Sequence, residues 1–290
     1  MTARLFLGLA CSLTLPPSLA LARKKPTPTP AAPAAPGAAD WRTPDPDNVL
    51  VIDTTKGRII VELAPAAAPL ASARVRALAH SGFYDGRAFF RVIDGFMDQT
   101  GDPQDTGMGG STQPDLPAEF TFRRGADTPL IIVDKSGGTE QGFLGSLPVV
   151  SQSLDLGVLT ADHKVSAWGA FCPGVVGMAR ADDPASANSQ FFLMRGAQRS
   201  LDQQYTAIGR VIAGQDVVNA IKTGEPVVPP QDRMTKVQVL ADIPAAQRPT
   251  VRVIDPAGPW FQAAVARAKA EKVVSFSVCD VPLPAQVSPS

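Results

Sequence analysis

The sequence predicts a mainly β protein, a closed antiparallel barrel with α-helices covering its open ends. Many short β-rich runs recur along the chain. Only two segments of the central body carry helical spacing. Their order does not alternate strand with helix, which argues against a parallel sheet. The 24 glycines and 28 prolines among 290 residues favour turns and short strands over long helices.

Residues 1–22 read as a secretory signal peptide. Arg4 precedes an apolar run from Leu5 to Leu15, and Ala20 and Ala22 form an A-x-A cleavage pattern. The run is too short to span a bilayer. The alternatives are an uncleaved anchor and a lipoprotein built on Cys11. The second is weakened by the very short apolar run before Cys11. A periplasmic or secreted location follows, with no membrane span in the mature chain. Residues 23–47 are rich in Pro and Ala and are expected to form an extended, disordered linker.

The body covers 48–243. NVLVIDT and GRIIVELAP read as strands joined by a hairpin at Thr55-Lys56-Gly57. APLASARVRALAHSGFYDG carries Leu70, Val75, Leu78 and Ala79 near helical spacing, with Pro69 in the first turn and Gly82 at the end. FFRVIDGFMDQTGD makes two strands around Asp94-Gly95, and the glycine loop TGMGGST follows. GVVGMAR, SQFFLMR and YTAIGRVI are later strands, GQDVVNAIKTG is a short helix, and KVQVLADI closes the body. Residues 111–174 show few clear periods and read as a long surface insertion with a hairpin of its own. Residues 244–290 form a C-terminal extension expected to pack on the body. It carries a strand candidate, TVRVID, and a helix candidate, PWFQAAVARAKAEK.

Net charge is zero; without residues 1–22 the chain has 26 basic and 27 acidic residues. Nothing basic is left over to attract nucleic acid or anionic lipid. His80 falls at the end of the first helix, where the dipole favours a cation, and His163 lies in the insertion. Neither has metal-ligand spacing around it, no G-x-S-x-G elbow occurs, and GMGGS lacks the Lys-Ser/Thr of a phosphate loop. No metal or cofactor is expected. Beyond the leader only Cys172 and Cys279 remain; they read as a disulfide in an oxidising compartment, or as two small buried thiols.

Arg91, Phe96, Met97 and Gln99 surround one turn. Composition alone would bury the apolar members. An arginine among them needs its donors satisfied, or else lines a shallow apolar cleft and faces a ligand carbonyl or amide.

The segment FYDGRAFFRVIDGFMDQTGDPQDTGMGG resembles that of cyclophilin-type peptidyl-prolyl isomerases, with its Tyr-Asp-Gly, Gly-Phe-Met-x-Gln-x-Gly-Asp and glycine-rich elements. GMARADDPASANSQFFLMR is similar to the family's Met-Ala-Arg and Asn-Ser-Gln-Phe-Phe elements. SLDQQYTAIGRVIAGQDVVNAI resembles its Leu-Asp, Phe-Gly-x-Val and Gly-x-x-Val-Val elements. The resemblance covers about 48–110, 175–222 and the closing strand.

It implies an eight-stranded antiparallel barrel capped by two helices. It implies isomerisation of X-Pro bonds in unfolded or flexible proline-containing polypeptides, without cofactor or metal, during folding of exported proteins. A monomer is expected. By the same resemblance Arg91 is the catalytic donor, with Gln99 beside it. Phe96, Met97 and Phe192 form the proline socket, with Leu201 at its floor. Gln99 and Gln190 hold the substrate backbone. Ala179 and Ala181 fall on the strand bordering a neighbouring groove, and Gly107 on the loop facing it. Arg180 and Tyr205 stand where many eukaryotic members carry Asn and His, and are counted with the substrate-binding residues. Phe90 replaces a frequent histidine. Ser200 stands where some members have the tryptophan linked to tight cyclosporin binding, so weak binding is expected. The rivals are a non-catalytic proline-peptide binding module or holdase, and a scaffold whose extension and Cys172–Cys279 link fix a partner surface.

Overall fold

The computed structural model describes residues 35–272 and 276–288. The signal-peptide reading of 1–22 and residues 23–34 of the Pro/Ala tract lie outside the described residues.

The body is one antiparallel sheet of eight strands: β1 (Val49–Thr54), β2 (Gly57–Leu63), β3 (Arg91–Ile93), β4 (Met97–Thr100), β5 (Val175–Met178), β6 (Phe191–Met194), β7 (Ala207–Ala213) and β8 (Met234–Val239). Their spatial order is β8-β1-β2-β7-β5-β6-β4-β3. The turn after β1 is the expected hairpin, with Thr54 opposite Gly57. Helix α1 (Pro69–His80) starts on Pro69, which supplies the first-turn φ without needing a partner for an N–H. It lies against β8, and the short α2 (Gln215–Ala220) lies against β2.

The expected closed barrel is corrected to a curled, open sheet. No ladder joins the edge strands β3 and β8: among the described residues the seam is crossed by the isolated bridges Ala88↔Arg233 and Val92↔Gly224 and by scattered backbone hydrogen bonds such as Met234 N–H to the Arg87 carbonyl. The chain that fills this seam carries Pro226, Pro229 and Pro230, three residues with no N–H to donate to a ladder.

Neither face of the sheet is left to solvent. Along β1 the alternating side chains divide: Leu50 and Ile52 join a core with α1 and α2, while Val49 and Val51 join a second core on the opposite face. That second core is built largely from the segments expected to be peripheral. Residues 111–174 are not a surface loop. They contain a five-stranded antiparallel sheet, in the order 122–124, 165–169, 147–152, 139–144, 130–136. Two of its hairpins turn on glycine: Gly137 and Gly138 both have positive φ, 58° and 77°, between Ser136 and Thr139, as a two-residue turn of matching twist demands. Phe143, Leu147, Val149 and Ala167 from this sheet are all within 1% of full burial.

The linker expectation also fails at its C-terminal end. Trp41 and Arg42 form a strand pairing with Ile254 and Val253, and Arg42 makes a two-pronged ion pair with Glu62 on β2. The C-terminal extension has its expected strand, Thr250–Ile254, and helix α3 (Pro259–Glu271), plus a strand Ala285–Ser288 that pairs with the first. Phe261 of α3 meets Phe143 edge-on, ring centres 5.2 Å apart. Full burial of each such side chain contributes about 1.5–3 kcal/mol, so this joint is a substantial hydrophobic contact. Cys172 and Cys279 are bonded, Cα atoms 5.1 Å apart, which fastens the end of the insertion to the extension.

Candidate active site

The site is built on the hairpin β3–β4 and its neighbour β6. Arg91 stands directly opposite Gln99 in the register of β3 with β4, and Gln99 stands opposite Phe192 on β6. Alternation then puts Met97 and Gln99 on one face, next to Phe192. Phe96 sits in the intervening turn, its N–H bonded to the Ile93 carbonyl. Arg91, Phe96, Met97, Gln99, Phe192, Leu201 and Tyr205 line a shallow cavity of about 100 Å³, together with Ala179 and Arg180. Leu201 comes from a short 3₁₀ turn, Arg199–Leu201, and Ser200 beside it is exposed.

The socket is rigid because its walls are backed by aromatic rings. Phe171 is fully buried and stacks behind Phe192, centroids 5.9 Å apart, and Tyr205 meets Phe192 edge-on at 5.8 Å. Between these rings lies Gly177; a Cβ there would come within 2.5 Å of Phe192 and 2.8 Å of Phe171. Only glycine leaves room for the stack.

A chain of hydrogen bonds runs across the floor. Arg91 Nη1 donates to Gln99 Oε1 at 3.3 Å, Gln99 Nε2 donates to Gln190 Oε1 at 2.9 Å, and Gln190 Nε2 donates to the carbonyls of Gly107 (3.0 Å) and Gly109 (2.7 Å). Arginine has donors only, so its position dictates which end of each glutamine amide is oxygen. On its other edge Arg91 Nε donates to Glu225 Oε1 at 2.6 Å. Among the described residues its Nη2 has no hydrogen-bond partner, and it is the donor left for a ligand.

A second cavity of about 480 Å³ adjoins the first and shares Gln99, Ala179 and Arg180 with it. Gly107, Ala181, Gln190, Ser111 and Asn188 also line it. Ala179 and Ala181 lie just past the end of β5 rather than on it, because Ala179 continues the pairing only through its N–H to the Gln190 carbonyl. The loop facing them is organised by Asp102, a fully buried carboxylate. It accepts hydrogen bonds from the N–H groups of Gln104, Thr106, Gly107 and Gly109 and from the Thr106 hydroxyl. Burial alone would raise its pKa, but the backbone donors of Gln104, Thr106 and Gly109 outweigh it and hold the carboxyl below the usual range.

Arg180 forms the ridge between the cavities. Its guanidinium carbon lies 4.7 Å from the Tyr205 ring centre and 5.5 Å from that of Phe120, and its Nη1 and Nε are bonded to nearby carbonyls. Every residue expected at the site from the sequence therefore lines one of two adjoining cavities. Two contributors are unexpected. Phe120 comes from the insertion, and Glu225 from the proline-rich segment after α2; the only sequence signal for the latter is the turn composition of GEPVVPP. Among the described residues no cluster of three or more His, Cys, Asp or Glu could hold a metal ion.

A family model described as cyclophilin type peptidyl-prolyl cis-trans isomerase matches residues 49–241. A probable peptidyl-prolyl cis-trans isomerase of Brucella suis biovar 1 is 33% identical over 213 residues, covering 68% of this chain and 85% of that protein. The crystal structure of a cyclophilin from Hirschia baltica shares 35% identity and a TM-score of 0.80. It covers 86% of this chain and 94% of that one, so the likeness extends beyond the family match. The hairpin that presents Arg91, the aromatic-backed socket beside it and these likenesses agree: the chain belongs to the cyclophilin-type peptidyl-prolyl cis-trans isomerases.

Proposed function

We propose that this chain accelerates X-Pro bond rotation in flexible segments of exported proteins, with Arg91 as the catalytic donor. The carrying observation is the half-used Arg91 guanidinium at the mouth of the socket. Nε and Nη1 are held by Glu225 and Gln99, and Nη2 has no partner among the described residues.

Resonance sets the barrier to peptide rotation at roughly 18–20 kcal/mol. Halfway through rotation the prolyl nitrogen regains its lone pair, and a donor aimed at it favours the twisted state over both planar ones. Lowering the barrier by about 7 kcal/mol accelerates rotation roughly 10⁵-fold. The socket of Phe96, Met97, Phe192 and Leu201 holds the pyrrolidine ring, Tyr205 bounding its side. Gln99 and Gln190 hold the flanking backbone. Gly107, Ala179 and Ala181 leave room for the residues before proline, with Arg180 as the ridge between. Export is supported by the Cys172–Cys279 bond, which persists in oxidising compartments, together with the leader composition. Exposed Ser200 beside the socket supports weak cyclosporin binding.

The test is an NMR exchange measurement on an Ala-Pro peptide with the mature protein and Arg91→Ala. Wild type is expected to exceed background by orders of magnitude and Arg91→Ala to lose most of the gain. Peptide binding with no rate increase in either would leave a binding module or holdase and end the enzyme reading.

A further inference from the structure

Glu225 lies 134 residues from Arg91 in sequence, yet its segment is fixed to the strand that bears Arg91 on both sides of that residue. Gly224 and Val92 exchange two backbone hydrogen bonds, each 2.8 Å, and Val227 N–H donates to the Phe90 carbonyl at 2.8 Å. Arg91 is thus bracketed by bonds at positions 90 and 92. The far end of the segment is tied as well: Asp232 Oδ2 accepts from the Lys222 N–H at 2.8 Å, and Lys222 Nζ donates to the Val228 carbonyl at 2.6 Å. Gly224 cannot be replaced without a clash, since a Cβ would lie 2.7 Å from Val227 Cα and 2.8 Å from the Pro226 carbonyl. All of this delivers one carboxylate to one guanidinium edge.

We propose that Glu225 is a positioning residue for the isomerase reaction: it holds the Arg91 guanidinium by Nε so that Nη2 points into the proline socket. This rests on the isomerase reading above. A free arginine side chain samples many rotamers, and a donor displaced by an ångström from the rotating bond loses most of its effect. Gln99 grips one edge through a single 3.3 Å bond, which leaves the plane of the guanidinium free to swing about it. The second grip, at 2.6 Å on Nε, fixes the plane. The pair is partly solvated, with Arg91 37% and Glu225 56% exposed, so its contribution to global stability is small. Its effect is directional.

The experiment uses the mature protein as wild type, Glu225→Ala, Glu225→Gln and Glu225→Leu. NMR exchange on an Ala-Pro tetrapeptide yields peptide affinity and bound-state rotation rate separately. Side-chain spectra follow the Arg91 Nε–H, and the backbone amides of 222–233 report the segment. With Glu225→Ala the bound-state rate falls about tenfold, while affinity stays within about twofold. The Arg91 Nε–H signal moves to the position of a solvated arginine, and the segment amides hold their shifts. Glu225→Gln keeps an oxygen acceptor for Nε and retains most of the rate. Glu225→Leu, of similar size and without an acceptor, shows the same loss as alanine and replaces it if the alanine variant folds poorly; a full rate in Glu225→Leu overturns the proposal. An unchanged or faster rate in Glu225→Ala overturns the proposal. So does a lost rate with an unmoved Arg91 Nε–H. A wild type without isomerase activity removes the isomerase reading and this proposal together.

Discussion

Arg91 and Arg195 flank the same strand, β4, and each meets a carboxylate, yet their donors are spent differently. Arg195 is 4% exposed in its side chain and faces Asp98, which is wholly buried. It donates Nε to Asp98 Oδ1 (2.5 Å), Nη1 to Asp94 (3.2 Å), and Nη2 to the carbonyls of Val218 and Ile221 at the end of α2. Four of its five N–H donors are thereby spent on the protein. Arg91 is 37% exposed and, among the described residues, its Nη2 has no hydrogen-bond partner. The difference follows from desolvation: a guanidinium taken out of water must find protein acceptors, whereas one at a cavity mouth can keep a donor waiting in solvent. Arg195 therefore ties a helix to the sheet, and Arg91 is available to a ligand.

The sharpest way to break this contrast is to truncate both. Arg91→Ala is expected to lower kcat/KM about 10²–10³-fold while the thermal midpoint barely moves. Arg195→Ala should do the reverse. It strands the buried Asp98 carboxylate and costs about 3–5 kcal/mol in denaturant unfolding, with near-normal turnover for the folded fraction at low temperature. Parallel losses of rate and stability in both variants would show that the two arginines are not separable in role.

Two aspartates sharpen it further, four residues apart and pushed opposite ways. Asp102→Ala removes the acceptor of the glycine loop and is expected to cost about 1–3 kcal/mol, with weaker peptide binding in the larger cavity. Because its pKa is lowered in the fold, the stability that Asp102 adds is present above the ordinary carboxylate range and is lost as pH falls through its folded value. Asp98 titrates the other way. Burial pushes its carboxyl up to about 7, opposed by the charge and hydrogen bond of Arg195. The fold binds the proton more tightly than the unfolded chain does, so this group costs stability as pH rises from about 4 through 7. The smallest expected effect is therefore a pH slope: Asp98→Asn should flatten the decline in thermal midpoint across that window relative to wild type. A wild-type midpoint that rises over the same range, with the slope gone in Asp98→Asn, would mean that the Arg195 pairing outweighs burial.

The site was far more legible in the sequence than the layer behind it. FFRVIDGFMDQTGD announces its own hairpin, since Asp94-Gly95 interrupts two alternating runs, and the order of Arg91, Met97 and Gln99 within it fixes which face each occupies. Helix α1 was bracketed by Pro69 and Gly82. The insertion hid its sheet because its strands break the usual rules. LPVVS is a continuous apolar run with a proline inside it, as expected of a strand buried on both faces but equally of irregular chain. Gly142 interrupts another strand, where a Cβ would come 2.3 Å from the Ile131 carbonyl. The turn glycines Gly137-Gly138 were visible, but no periodic flanks identified them as hairpin turns. Trp41-Arg42 was unreadable for a different reason: a two-residue strand has no period, and its partner is more than 200 residues away. Glu225 shares that difficulty, since only the bonds at Phe90 and Val92 bring it to Arg91.

The core shared by the two cover segments has a consequence for where this protein can be cut. The family match ends at residue 241, but Val251, Val253, Phe261, Val265 and Val281 belong to the same apolar cluster as Met97 and Phe192 of the socket. The family match and the buried core therefore have different borders here. A chain trimmed to residues 49–241 would keep every catalytic side chain and lose the buttress that keeps their floor from sagging.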